Sequence, residues 1–241
     1  MTTLEFFVTL AFYKTEASMF EGFANVWTPV LPAWDLRDEI RRVRVAGEPI
    51  LLFRDGRGDP GACLDRSSSS PPEVITLEAR LPAREALGLI WIFTGRETPA
   101  EGPALPAIDP VRPLVVHGET WSAPFARVLE ALLDPANLPF TWAQGAPEEP
   151  MLAFRAPGCV ELFLPTNVPE KRTLLYCFPE TGATTRVLFC ATRAPGEDDM
   201  TSWITEYFAA TDLARERASK AAAIGADEGL TTTRDFLEHM V

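Results

Sequence analysis

Proline sets the first limit on what this chain can build. Twenty-two of its 241 residues are proline, and each fixes φ and removes a backbone donor. The expectation is a fold of short elements and many connections. One long proline-free run, MTSWITEYFAATDLARERASKAAAIG at 200–225, has sustained helical periodicity. With 46% hydrophobic and 23% charged residues, the chain is globular rather than collagen-like, coiled-coil or low-complexity. At this length it buries roughly 70% of its unfolded surface, as one large domain or two small ones.

The formal charge of −12 repels nucleic-acid phosphates and anionic leaflets, so neither nucleic acid nor membrane is expected as partner. The apolar stretch LEFFVTLAFY near the start is about half a bilayer span and follows no basic segment, so neither a signal peptide nor an anchor is expected. Cys63, Cys159, Cys177 and Cys190 show no CxxC or CxH spacing. They read as reduced thiols of a cytoplasmic protein. His117 and His239 are the only histidines, which nearly excludes any site that needs two or three imidazoles.

Strand-like runs dominate the first half. MFEGFANVWTPVL at 19–31 and RRVRVAGEPILLF at 41–53 are followed by RDGRGDPGA at 54–62, whose Asp-Gly and Gly-Asp-Pro steps are turn chemistry. Residues 41–64 read as a β-hairpin, with Gly47-Glu48-Pro49 as a tight connection. SSSSPP at 67–72 reads as an exposed loop, and EVITLEARL and LGLIWIF as two further strands. TGRETPAEGPALPAIDPVRP at 94–113 is a surface linker, so a boundary falls near 100–110. Beyond it, Val128, Leu129, Leu132 and Leu133 mark a short helix that Pro135 interrupts. MLAFRA, CVELFLPT, TLLYCF and TRVLFCATR read as strands, the last two joined by PETGAT. An antiparallel sheet is expected there. The long helix follows, and TTTRDFLEHMV ends the chain as a last short one.

In this order the pieces resemble the α subunit of a Rieske non-heme iron oxygenase, particularly the branch related to pheophorbide a oxygenase. FANVWTPV, VAGEPILLFRDGRGDPGACLDR and GLIWIF resemble its Rieske domain. LEALLDPANLPFTWAQG resembles the catalytic D-x2-H-x4-H helix, PETGATTRVLFCATR a later core hairpin, and GADEGLTTTRDFL the C-terminal segment. The resemblance implies an α+β fold. A truncated Rieske-like β domain over 19–100 is followed by a helix-grip (START/Bet v 1-like) domain over 108–241, an antiparallel sheet around a long C-terminal helix with a deep apolar cavity.

The departures from the pattern fall on the metal ligands. Ser67 and Ser69 stand at the CxH positions, and the second cluster hairpin is deleted between SSSSPP and EVITLEARL; serine supplies neither thiolate nor imidazole for a [2Fe–2S] cluster. At the mononuclear site, Asn137 and Trp142 replace both histidines. Asp212, or Glu206, is left as the carboxylate of a triad that needs two imidazoles. The expectation is therefore no cofactor and no metal.

What the resemblance leaves is a cavity. Folding a flexible substrate into a reactive conformer and hydrogen-bonding one polarised carbonyl requires no redox centre. The leading reading is a cofactor-independent, non-redox cyclase of natural-product biosynthesis acting on a polyketide-type, hydrophobic small molecule, a [4+2] pericyclase being one form. Asn137 and Asp134 are the catalytic candidates. Phe140, Trp142, Gln144, Tyr207 and Asp212 are the substrate-binding candidates. Each also has a purely structural reading: Asp134 as a helix-end residue before Pro135, Asn137 as a helix cap, Trp142 and Tyr207 as core, with Trp203 one turn before Tyr207.

His117, Glu119 and Trp121 alternate onto one strand face, either as an acid–base pair or as an ordinary hydrogen-bonded strand. The acidic run GEDD at 196–199 is read as a helix-dipole partner, not a cation site. Two rival classes stand beside the cyclase: a catalytically inactive pseudo-oxygenase acting as scaffold, and a small-molecule binding protein. A homo-oligomer, trimeric in the resembled family, fits either. A metal enzyme in which His117 and His239 converge with Asp212 comes last.

Overall fold

The computed structural model describes residues 20, 22–65, 80–95, 99–105, 114–134, 151–155, 158–163, 172–192 and 200–225. Antiparallel sheets with few helices make up these residues. The basic run RRVRV forms β2 (Arg41–Val45), which pairs with β3 (Glu48–Arg54) and then β4 (Pro60–Leu64). Residues 41–64 are thus a three-stranded meander and not the single hairpin expected. The first turn lies one residue earlier than its sequence suggests. Ala46 and Gly47 take φ of 46° and 86°, the left-handed pair that a two-residue turn between twisted strands needs. Glu48 and Pro49 are already paired in β3. The second turn closes on Asp55, whose Oδ1 accepts the backbone N–H groups of Arg57 at 2.8 Å and Asp59 at 3.0 Å.

Pro82 follows the run EVITLEARL, and the strand beyond it falls between the two strand-like runs of the sequence. On one side of this proline β5 (Arg80–Leu81) completes the meander sheet; on the other, β6 (Ala83–Ala86) joins a second sheet in the order β1 (Trp27–Pro32), β7 (Leu89–Phe93), β6. Proline has no N–H to continue a ladder, and its carbonyl instead accepts the Phe93 N–H at 2.8 Å. Arg54 ties the two sheets together. It donates to the carbonyls of Leu36 (2.7 Å), Ala33 (3.1 Å) and Gly58 (2.9 Å), and pairs with Glu85 on β6 at 2.9 Å.

All four strand-like runs of the second half are strands. β9 (Met151–Arg155), β10 (Cys159–Phe163), β11 (Arg172–Pro179) and β12 (Thr185–Thr192) form an antiparallel sheet with β8 (Leu114–Trp121), in the order β8-β12-β11-β10-β9. Thr181 and Thr184 close the β11–β12 turn through their hydroxyls at 2.8 Å. Helix α1 (Phe125–Leu133) buries Val128, Leu129 and Leu132 as its periodicity predicts, and packs against β11. Helix α2 (Met200–Gly225) packs along α1, with Thr211, Ala214 and Ala218 buried. Their small side chains let the two helices approach closely.

One hydrophobic core spans both halves. Phe23 meets Phe125 edge-on with ring centres 5.0 Å apart, and Trp91 meets Tyr176 at 5.3 Å. The segment after β7 is held on the surface, where the Glu101 carbonyl accepts the Trp27 indole N–H at 3.0 Å. The four cysteines are buried and not disulfide-bonded. Burial pushes the thiols of Cys177 and Cys190 well above their ordinary range. Among the described residues, no helix is long and apolar enough to cross a membrane.

Candidate functional site

Strand β8 carries the alternation seen in VVHGETW. Trp121 is buried at its end, Glu119 is partly buried two residues before it, and His117 is exposed. The Trp121 indole N–H donates to Glu119 Oε1 at 2.8 Å, which satisfies the polar edge of a ring that is otherwise core. Glu119 also faces Arg215 of α2 at 3.4 Å. This carboxylate therefore serves the indole and the guanidinium.

Asp134, Tyr207 and Asp212 of the predicted site fall within the described residues, and the two carboxylates are held by different arginines. Asp134 caps α1 with φ −80° and ψ 112°, an extended conformation that the following Pro135 imposes. Its carboxylate lies 3.4 Å from Arg217. Asp212 lies 2.6 Å from Arg215, one turn along α2. A helix advances about 100° per residue, so Arg215 and Arg217 diverge by about 200°. The acids they hold flank α2 on different sides.

An open cleft of about 470 Å³ lies where one flank of α2 faces the end of β8. The strand and the residue after it contribute Thr120, Trp121 and Ser122; the helix contributes Asp212, Arg215, Glu216 and Ser219. Thr120 is held in place, donating its hydroxyl to Glu180 at 2.9 Å and accepting from Arg186 at 3.3 Å. Apart from Trp121, every lining side chain is polar. Of this set, Asp212 and Trp121 were singled out in the sequence. The missed signal is the helical spacing itself, since positions 212, 215, 216 and 219 form an i, i+3, i+4, i+7 polar stripe beside the buried one.

The donors in view do not fit iron. A facial triad needs two imidazoles and a carboxylate on one centre, yet Asp134, Asp212 and Glu119 each face an arginine. Among the described residues no group of three or more His, Cys, Asp and Glu converges to hold a metal ion. Asn137, Phe140, Trp142 and Gln144 lie outside the described residues, as do Ser67, Ser69, the 196–199 run, the last short helix and His239. Tyr207, Trp203 and Glu206 fall within α2.

No family sequence profile matches the chain. It is similar to chlorophyllide a oxygenase of Arabidopsis thaliana, 27% identical over 185 residues, covering 59% of this chain and 33% of that protein. It thus spans about a third of that relative's length. Its fold is shared with the terminal oxygenase of carbazole 1,9a-dioxygenase from Nocardioides aromaticivorans, at a TM-score of 0.64 and 14% identity, covering 92% of this chain and 90% of that one. It is shared also with dicamba monooxygenase, at 0.61 and 14%, covering 88% and 92%. These likenesses support the Rieske oxygenase resemblance read from the sequence motifs.

Proposed function

We propose that this chain keeps an oxygenase fold without oxygenase chemistry and works as a cofactor-independent, non-redox cyclase on a hydrophobic, polyketide-type intermediate. A [4+2] ring closure is the form to test first. The observation that carries the reading is the state of the remaining acids. In the resembled family the iron carboxylate corresponds to Asp212 or Glu206; Asp212 is bound to Arg215 at 2.6 Å, and neither histidine position of the catalytic-helix motif, Asn137 or Trp142, carries an imidazole. A guanidinium beside a carboxylate occupies the place that a cation would take.

On this reading Asn137 hydrogen-bonds a substrate carbonyl, donating through its amide. Asp134 serves as acid or base. Phe140, Trp142, Gln144, Tyr207 and Asp212 shape the pocket in a helix-grip domain over 108–241, and the β unit over 19–100 supports it. Catalysis rests on holding a reactive conformer and stabilising developing charge at one oxygen. The oxygenase of carbazole 1,9a-dioxygenase is found in complex with ferredoxin; in this chain an electron donor has no centre to reduce.

The test is elemental analysis and native mass spectrometry of untagged protein, followed by incubation of linear polyene precursors with and without it. Iron-free protein that accelerates ring closure supports the reading. Stoichiometric iron overturns it, and unchanged cyclisation rates overturn the cyclase.

A further inference from the structure

We infer that the polar cleft between β8 and α2 is a binding site for a neutral, polyhydroxylated small molecule of about single-sugar-ring size. This cleft shares Asp212 with the proposed cyclase pocket and none of that pocket's other named residues. Its volume, about 470 Å³, is in the range of ligand sites.

The chemistry of the lining selects the ligand. Arg215 is fixed by two carboxylates, its Nη1 on Glu119 and its Nη2 on Asp212, so the guanidinium is a preorganised donor whose Nε has no partner among the described residues. Asp212 uses Oδ1 for Arg215, which leaves Oδ2 as an acceptor. The hydroxyls of Ser122 and Ser219 line the same cleft from opposite walls.

Guanidinium is donor-only and carboxylate acceptor-only, while a hydroxyl is both. Neighbouring hydroxyls on one ring satisfy the two groups side by side. A phosphate or carboxylate ligand matches Arg215 but meets Asp212, while Glu216 is already paired with Lys220; an ammonium matches Asp212 but meets Arg215. An apolar ligand would desolvate these groups and offer them no further hydrogen bond.

The experiment is saturation-transfer NMR on the whole chain with D-glucose, myo-inositol and glucose 6-phosphate as probes. Glucose or inositol should show saturation, and glucose 6-phosphate should bind more weakly. Ser219→Trp, which fills the helix wall, should weaken binding at least about tenfold. Ser122→Trp does the same from the exposed strand wall if the first variant fails to fold. No saturation with either neutral probe, tighter binding of the phosphorylated sugar, or unchanged binding in a folded tryptophan variant overturns the inference. Because no precursor or turnover enters the assay, its failure leaves the cyclase reading standing.

Discussion

The backbone N–H of Ala46 donates to the carbonyl of Pro179 at 2.7 Å, so the tip of the β2–β3 turn rests on the tip of the β11–β12 turn. Gly47 repeats the contact on Glu180 at 3.0 Å. Ala46 makes it at φ 46°, where an L-residue with a Cβ is strained by about 1–2 kcal/mol. Ala46→Gly relieves that strain but frees the unfolded chain, and should stabilise by less than about 1 kcal/mol. Ala46→Pro loses the N–H and cannot reach the required φ, and should destabilise by about 3 kcal/mol. Urea denaturation checks both signs. Equal stability of the two variants would show that this turn does not carry the junction.

Arg54 offers a second test of how the sheets are joined. Its guanidinium serves three backbone carbonyls and Glu85, and two of those carbonyls belong to the buried residues Leu36 and Ala33. Arg54→Met should cost about 1–3 kcal/mol, because the Leu36 carbonyl loses its donor while that of Ala33 keeps the Leu36 N–H. Arg54→Lys should recover little, since an ammonium lacks the planar fork that reaches several carbonyls at once. A lysine variant as stable as the parent would sink the fork argument.

How far the sequence reveals this molecule differs by level. The strands around PETGAT and the α1 face at Val128, Leu129 and Leu132 were legible, because period-2 and period-3.6 patterns report burial directly. Strand β6 was not, because Ala83–Ala86 is short, carries two charges and buries none of its side chains fully. The polar cleft was hidden for another reason. Asp212 could be marked by resemblance, but Arg215 acquires its role from Glu119, ninety-six positions away, and no local pattern encodes that approach.

Glu119 allows charge and hydrogen bonding to be separated. Its Oε1 accepts the indole N–H of Trp121, a ring only 1% exposed. Glu119→Ala leaves that donor unpaired and should cost about 1–3 kcal/mol. Glu119→Gln keeps an acceptor oxygen and loses the partly exposed pairing with Arg215, so it should cost no more than about 1 kcal/mol. If the two variants are equally destabilised, the indole contact contributes nothing.

Gly158 is required by close approach rather than by its φ. A Cβ built there runs into the Cys177 carbonyl oxygen, while the Cys177 N–H donates to the Gly158 carbonyl at 2.7 Å. The neighbour is backbone in a central strand, which has no rotamer to yield. Gly158→Ala should destabilise by about 2–3 kcal/mol, and should expose the Cys177 thiol, which is inert while buried. Thermal melts and thiol titration under native conditions read the two effects. A variant with parental stability would contradict the packing of β10 on β11.

Asp55 makes stability depend on acid pH in a defined direction. The backbone N–H of Arg57, and then that of Asp59, holds its carboxyl below the ordinary value of 3.8, because both bonds favour the charged form. A carboxyl depressed in the folded state stabilises above its unfolded value and loses that contribution as pH falls through the folded value. Asp55→Asn keeps an acceptor and removes the charge, so it should melt below the parent at neutral pH. The gap should stay constant down to about pH 5 and close below about pH 4. Melting curves of both proteins from neutral to acid pH decide it. A gap that persists undiminished at the lowest pH would mean that the turn is stabilised by something other than the ionised Asp55.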